Sequence, residues 1–305
     1  MRHALGIDIG GTNLRAALID ENYQVVRKEK VSSRGALAES LIGMIQSLID
    51  SQTVGIGVAV AGIVDRVKKR VLSSPNLPAV EELDFKDIER RFSLPLYLEN
   101  DANAFALGEK TAGIGKEYDD FILLTLGTGI GGGVVCGGRL LDIPAELGHV
   151  TVEIDGRSCP CGNTGCLEMY ASGTAIVNSA VNELEQGRES MLRECCDGNF
   201  YKITPENIYE YALEGDQLAR EVLKDAGRYL GAGIASFVNI FGPQAVLIGG
   251  GVSGAWDILI EEGKKEIKRR AFEQIAEDLK VVPASLGDDA GVVGAAALVF
   301  GEEDD

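Results

Sequence analysis

Basic side chains are scarce in this chain: 29 lysines and arginines stand against 47 aspartates and glutamates, a net charge of −18 over 305 residues. A surface of that sign repels phosphate backbones and anionic bilayers beyond a screening length, so neither nucleic acid nor membrane is expected as a partner. A small anion such as a nucleotide is not excluded, because backbone amides, helix N-termini and a bound metal act locally against the global field. There is no G-x-x-x-x-G-K-[ST] segment, which disfavours a P-loop nucleotide site. The N-terminus has no hydrophobic leader core, since the apolar run Ala4 to Ile9 is broken by Asp8; a cytoplasmic location and reduced cysteines are expected. The one long stretch without charge, Tyr229 to Trp256, is interrupted by Asn239, Pro243, Gln244 and the run Gly249 to Gly251, and reads as a buried helix followed by a buried strand, not a membrane span.

Histidine is scarce too, with two in the chain, and one of them sits where it is most informative. The segment AELGHVTVEIDGRSCPCGNTGCLE places His149, Cys159, Cys161 and Cys166 between Glu146 and Glu168, with the cysteines in C-x-C-x4-C spacing and Gly156, Gly162 and Gly165 tightening the loop. One imidazole and three thiolates make a full tetrahedral shell for Zn2+, with no open position, so the metal is structural and the carboxylates face something else. The bland alternative, thiols acting as small buried hydrophobes, is disfavoured by the polar loop residues around them. Cys136, Cys195 and Cys196 are left as core or surface thiols.

At 45% hydrophobic and 25% charged, the chain can bury a sizeable core in about two domains. Leu5 to Ile9, Leu14 to Asp20 and Gln24 to Val31 predict an antiparallel meander, Gly35 to Asp50 an amphipathic helix, and Val54 to Val60 a strand covered on both faces. Pro75 to Pro78 reads as a loop, Phe85 to Phe92 as a helix, Pro95 to Leu98 as a strand and Ala102 to Ala112 as a helix. The strand-turn-strand scheme of Leu5 to Ala17 then returns at Leu123 to Val135, about 120 residues on, which suggests two related domains facing one another. Helices follow over Gly173 to Gly187, Pro205 to Leu213 behind a Thr204 cap, and Asp216 to Phe241. A strand at Ala245 to Ile248, a helix at Ala255 to Arg270, a strand at Leu279 to Val282 and an apolar helix at Ala290 to Phe300 complete the chain.

The pattern E-x-G-H followed by C-x-C-G-x-x-G-C-x-E resembles the signature of the ROK family of bacterial sugar kinases and sugar-responsive repressors, and the likeness runs over essentially the whole chain. With the duplication, it implies an α/β, two-domain actin-like ATPase (ribonuclease H-like) sugar kinase fold: residues 1–112 as a small domain completed by a C-terminal helix at 288–305, and 113–287 as a large domain with the zinc-binding loop. It implies zinc at His149, Cys159, Cys161 and Cys166, and hexose contacts from Glu146, His149 and Glu168, with Gly62 and Asn76 as further sugar neighbours.

Phosphoryl transfer needs phosphate cradles, a metal and a carboxylate beside the attacking hydroxyl. Asp8 at a strand end, followed by Gly10, Gly11, Thr12 and Asn13, supplies a carboxylate for Mg2+, held through water, and a turn that backbone amides line. The resemblance implies an opposing cradle at Thr128, Gly129 and Gly131 and a loop under the ATP at Gly250 and Gly251. By sequence alone Asp101 reads equally as a helix cap or a general base; the resemblance, whose N-D dipeptide it matches, implies the base, with Asn100 as a sugar ligand. Metal loss is expected to weaken sugar binding and spare the distant glycine turns, and a side chain at Gly129 to obstruct ATP and spare the sugar.

The expected activity is ATP-dependent phosphorylation of a hexose. Glucose is the substrate the resemblance implies, from Glu146 to Val152; N-acetylmannosamine, N-acetylglucosamine and fructose are the alternatives, and a homodimer or homotetramer is the expected assembly. A repressor of the same family needs a DNA-binding helix-turn-helix ahead of the first strand, which here starts within five residues of Met1. A nicotinamide-dependent oxidoreductase would rest on two G-x-G-x-x-G matches. The one at Gly127 runs into a strand, and the one at Gly249 lacks an acidic residue at the end of the next strand.

Overall fold

The computed structural model describes residues 1–75, 77–196 and 198–301. In chain order the strands and helices of the first part are β1 (His3–Ile9), β2 (Asn13–Asp20), β3 (Val25–Ser32), α1 (Leu37–Leu48), β4 (Thr53–Val60), β5 (Ile63–Asp65), β6 (Arg70–Ser73), α2 (Phe85–Phe92), β7 (Leu96–Asn100) and α3 (Asp101–Ala112). They continue as β8 (Phe121–Leu126), β9 (Ile130–Cys136), β10 (Arg139–Leu140), α4 (Glu168–Ala171), α5 (Gly173–Glu185), α6 (Pro205–Glu214), α7 (Gln217–Phe241), β11 (Ala245–Gly249), α8 (Glu261–Arg270), α9 (Glu273–Ala276), β12 (Lys280–Pro283) and α10 (Ala290–Gly301).

Two five-stranded sheets repeat one scheme, β3-β2-β1-β4-β7 and β10-β9-β8-β11-β12, and β5 and β6 form a separate hairpin. In the first sheet β1 is antiparallel to β2, and β4 is parallel to both β1 and β7; in the second, β11 is parallel to both β8 and β12. The strand-turn-strand unit read twice in the sequence therefore opens both sheets. The chain divides into two compact units, residues 1–119, 133–145 and 284–305, and residues 120–132 and 146–283.

In the first unit α1 buries Leu37, Leu41, Met44, Ile45 and Leu48 against one face of the sheet. Helix α10 covers the other, with Val292, Val293, Ala296 and Val299 packed on Ala4, Ala17 and Ile19. Its small residues allow backbone-to-backbone approach: a Cβ at Gly57 of β4 would lie 1.7 Å from the Ala295 carbonyl oxygen, and one at Gly294 1.6 Å from that of Ala104 in α3. Larger side chains there would lift the helix off the sheet and forfeit packing. Strand β3 is exposed at every position, and its charged VVRKEKVS sequence suits a free sheet edge.

In the second unit the long α7 is capped by Asp216, which accepts from the Ala219 amide, and ends at Gly242 with φ +56°. Thr204 and Asn207 form a capping box on α6. The helix expected over Ala255 to Arg270 differs: a 3-10 turn at Gly251–Ala255 and a π turn at Trp256–Ile260 precede α8. Gly250, with φ +86°, and Gly254 disfavour an ordinary first helical turn. Among the described residues no helix is long and apolar enough to cross a membrane.

Candidate active-site residues

In both sheets the sequence-predicted residues collect at the carboxyl ends of the parallel strands, where open α/β sheets bind ligands. In the first, register pairs Ile9 with Val60 and Val60 with Asn100, so Asp8, the Gly10–Asn13 turn, Gly62 and Asn100–Asp101 share one edge. In the second, Gly249 pairs with Thr125, which sets the turn through Thr128 and Gly129 beside Gly250 and Gly251. Asn76 lies outside the described residues.

Asp8 is the penultimate residue of β1, and the Gly10 amide donates to the Asn13 carbonyl at 3.0 Å. The Arg15 guanidinium lies 3.3 Å from Asp8 Oδ2 and 3.3 Å from Asp288 Oδ2. Burial first, and then the negative charge of Asp101, push the Asp8 carboxyl up from 3.8 to about 6 against the pull of Arg15. Two carboxylates of one unit therefore feel each other, and a cation would be favoured beside them. Between pH 3.8 and 6 the folded chain keeps a proton at Asp8 that the unfolded chain has lost, so this group lowers stability as pH rises through that window. Asp8→Asn, measured without divalent cations, is expected to stabilise the fold at pH 7 by up to about 3 kcal/mol, the shift converted at 1.36 kcal/mol per unit. Thermal unfolding of the variant at pH 7 no higher than that of the parent would contradict this.

Asn100, not Asp101, is the cap of α3: its Oδ1 accepts from the amides of Ala102 at 2.9 Å and Asn103 at 3.1 Å, and its Nδ2 donates to the Gly62 carbonyl at 3.0 Å. That leaves Asn100 one amide hydrogen for a ligand. Gly62 has φ +125°, and a Cβ there would lie 2.2 Å from the Ser73 carbonyl oxygen, so no side chain fits where its carbonyl holds Asn100. Asp101 opens α3, where the helix N-terminus favours its negative charge. Behind it Glu99, 3% exposed, accepts from Arg66 at 2.9 Å, the Asn100 amide at 2.8 Å and Asn103 at 3.1 Å. Sequence reading missed this Arg66–Glu99–Asn103 network; its only signal was a glutamate in an otherwise apolar strand.

In the second unit the loop after β10 brings His149, Cys159, Cys161 and Cys166 together, with ligand atoms within 4.8 Å of one another. Cys159 Sγ lies 3.6 Å from His149 Nδ1, and Cys161 Sγ 3.7 Å from Cys166 Sγ. A tetrahedron with Zn–S of about 2.3 Å and Zn–N of about 2.0–2.1 Å has edges of about 3.6 and 3.8 Å, so the donor set fits zinc. Burial, and then the neighbouring thiols, push Cys166 up to about 12; a coordinated cation would hold it as thiolate. His149 turns Nδ1 to the cysteines and Nε2 towards Glu146, 3.9 Å from Oε2. Burial raises the Glu146 carboxyl, His149 opposes the rise and Glu168 adds to it.

Glu168 is the first residue of α4, and its Oε2 accepts from the Ile130 amide at 2.8 Å. At the other end of α4 the Gly173 amide donates to the Gly127 carbonyl at 2.8 Å. The glycine turn is therefore clasped at both ends by the segment that follows Cys166. The expected distance between metal loop and turn is not what the structure has. A Cβ at Gly129 would meet Glu168 Oε2 at 2.4 Å, so the missing side chain makes room for the carboxylate, which no spacing in the sequence shows. Arg157 ties the loop to α4 as well: its amide donates to the Tyr170 hydroxyl at 2.7 Å and its Nη1 to the Met169 carbonyl at 2.8 Å. Gly250, in the left-handed region, would carry a Cβ 2.4 Å from the Leu126 carbonyl oxygen, so β8 and the Gly250 turn pack with no side chain between them.

Two modules of one strand order, each with glycine turns and carboxylates at its carboxyl edge, define the actin-like ATPase fold of the sugar kinases. The chain belongs to the ROK family, whose model matches residues 4–302. It is 35% identical to a glucokinase of Streptomyces coelicolor over 309 aligned positions, 96% of each chain. A crystal structure of a ROK family glucokinase from Streptomyces griseus in complex with glucose and AMPPNP superposes with a TM-score of 0.83 at 34% identity, over 97% of this chain and 98% of that one. A xylose repressor of Caldicellulosiruptor bescii is 31% identical over 98% of this chain and 78% of its own length.

Proposed function

We propose that the protein transfers the terminal phosphoryl group of ATP to the 6-hydroxyl of glucose. Asp101 takes the hydroxyl proton as the sugar oxygen forms its bond to phosphorus, the bond to the bridging oxygen breaks, and ADP leaves. The observation that carries this reading is the place of Asp101 at the head of α3, whose N-cap is Asn100: its Oδ1 accepts from the Ala102 amide at 2.9 Å, and the second carboxylate, Asp8, is close enough to feel its charge. Asn100, Glu146, His149 and Glu168 hold the hexose, with Gly62 and Asn76 near it. Gly10, Gly11, Thr12, Asn13, Thr128, Gly129, Gly131, Gly250 and Gly251 bind the nucleotide. Asp8 would hold Mg2+ through water, and the ion would neutralise phosphate charge. Zn2+ at His149, Cys159, Cys161 and Cys166 would fix the loop between Glu146 and Glu168, leaving His149 Nε2 as a donor to sugar or Glu146.

The similarity to the glucokinases covers 96% of both chains and supports catalysis. The similarity to a xylose repressor supports a second reading, sugar sensing without turnover. Sugar-dependent ADP release separates them: with ATP and Mg2+, glucose is expected to raise ADP production at least about 100-fold over the sugar-free rate, the scale of general-base catalysis. Tight glucose binding without ADP release would favour the sensor.

A further inference from the structure

The turn at Gly127–Ile130 is assigned above to the nucleotide, yet its best-defined contacts run to a carboxylate assigned to the hexose. Glu168 Oε2 takes the Ile130 amide at 2.8 Å, and the Gly127 carbonyl takes the Gly173 amide at 2.8 Å. Gly129 stands between these two clasps, and its Cβ position is 2.4 Å from Glu168 Oε2 and 3.1 Å from Cδ. A distance of that size cannot persist, so a side chain at 129 must displace the carboxylate. The carboxylate swings aside on a flexible side chain, while the backbone that carries it is held in place. Leu167 before it is fully buried and meets the Gly233 position of α7 at 2.6 Å, and Tyr170 after it is stacked on Tyr229 with ring centroids 4.2 Å apart.

We infer that Gly129 and the Ile130 amide are positioning residues for Glu168, so that the glycine turn sets hexose affinity as well as nucleotide affinity. This rests on the proposed contact of Glu168 with the hexose. The amide fixes one carboxylate oxygen and leaves the other, Oε1, to accept from sugar hydroxyls. Clasped by Glu168 of α4 and Gly173 of α5, the turn carries the same geometry to both substrates.

The test is a double-mutant cycle read by glucose binding, in the absence of nucleotide, by calorimetry. Gly129→Ala is expected to weaken glucose at least 10-fold, and Glu168→Ala to weaken it at least as much. Glu168→Ala/Gly129→Ala should bind glucose no more weakly than Glu168→Ala, because a residue acting through another costs nothing once that other is gone. Losses that multiply in the double variant would overturn the inference and leave the hexose assignment standing. A Glu168→Ala protein with unchanged glucose affinity would overturn both. If Gly129→Ala does not fold, folding restored in the double variant supports the steric link to Glu168; a double variant that also fails to fold contradicts it.

Discussion

Asp101→Asn is expected to lower kcat by about 10²- to 10⁴-fold, the usual contribution of a general base, with glucose affinity nearly unchanged. Asparagine keeps the shape at the head of α3 and can still accept a hydrogen bond, but it cannot take the proton of the 6-hydroxyl. The structure sharpens the test, because the cap of α3 belongs to Asn100. A loss of activity in Asp101→Asn therefore cannot be ascribed to an uncapped helix, and its unfolding temperature should stay close to that of the parent. A variant retaining more than a tenth of kcat would remove Asp101 from the chemistry.

Loss of the metal should have the second-largest effect. Cys161→Ser replaces an exposed thiolate ligand with a poor one, and structural sites of this type couple metal affinity to local folding. The last ligand, Cys166, is two residues from Glu168, with the buried Leu167 between them, so a loosened loop moves the carboxylate directly. The expected outcome is loss of zinc and a rise in the glucose KM of about 10- to 100-fold, the range seen when groups supporting a metal site are removed. Because Glu168 also holds the Ile130 amide, nucleotide affinity should fall too, unlike in a loop that served the sugar alone. Arg157 gives the loop a second attachment through Tyr170 and Met169, so the fold itself should survive. Protein purified without chelator and free of zinc, or a zinc-free Cys161→Ser protein with ordinary glucose kinetics, would contradict the assignment.

The sequence makes the local units legible wherever chemistry repeats at short range. The C-x-C-x4-C run with His149, the apolar strands at Leu5 and Leu123, and the small residues of α10 all depend on neighbours in the chain. The repeated strand-turn-strand unit is legible too, whereas the strand order that places Asp8 and Asn100–Asp101 on one sheet edge comes from the pairing of β1, β4 and β7. What stays hidden depends on partners far apart in sequence. The Arg66–Glu99 pair joins the β5–β6 hairpin to β7 across 33 positions. Glu168 reaches Ile130 across 38, and nothing in a glycine-rich stretch shows whether its missing side chains make room for a phosphate or for a carboxylate of the same protein. The helix expected over Ala255 to Arg270 is regular only from Glu261, because apolar spacing does not distinguish α from 3-10 or π turns over one or two turns.

The central claim, phosphorylation of glucose at its 6-hydroxyl, is tested most directly by a panel of hexoses with ATP and Mg2+, with products identified by phosphorus NMR. The expected result is glucose 6-phosphate formed with a higher kcat/KM than the phosphorylated products of N-acetylmannosamine, N-acetylglucosamine, fructose or xylose. Phosphoryl transfer to none of these sugars, by a folded and metal-loaded protein that still binds glucose, would contradict it.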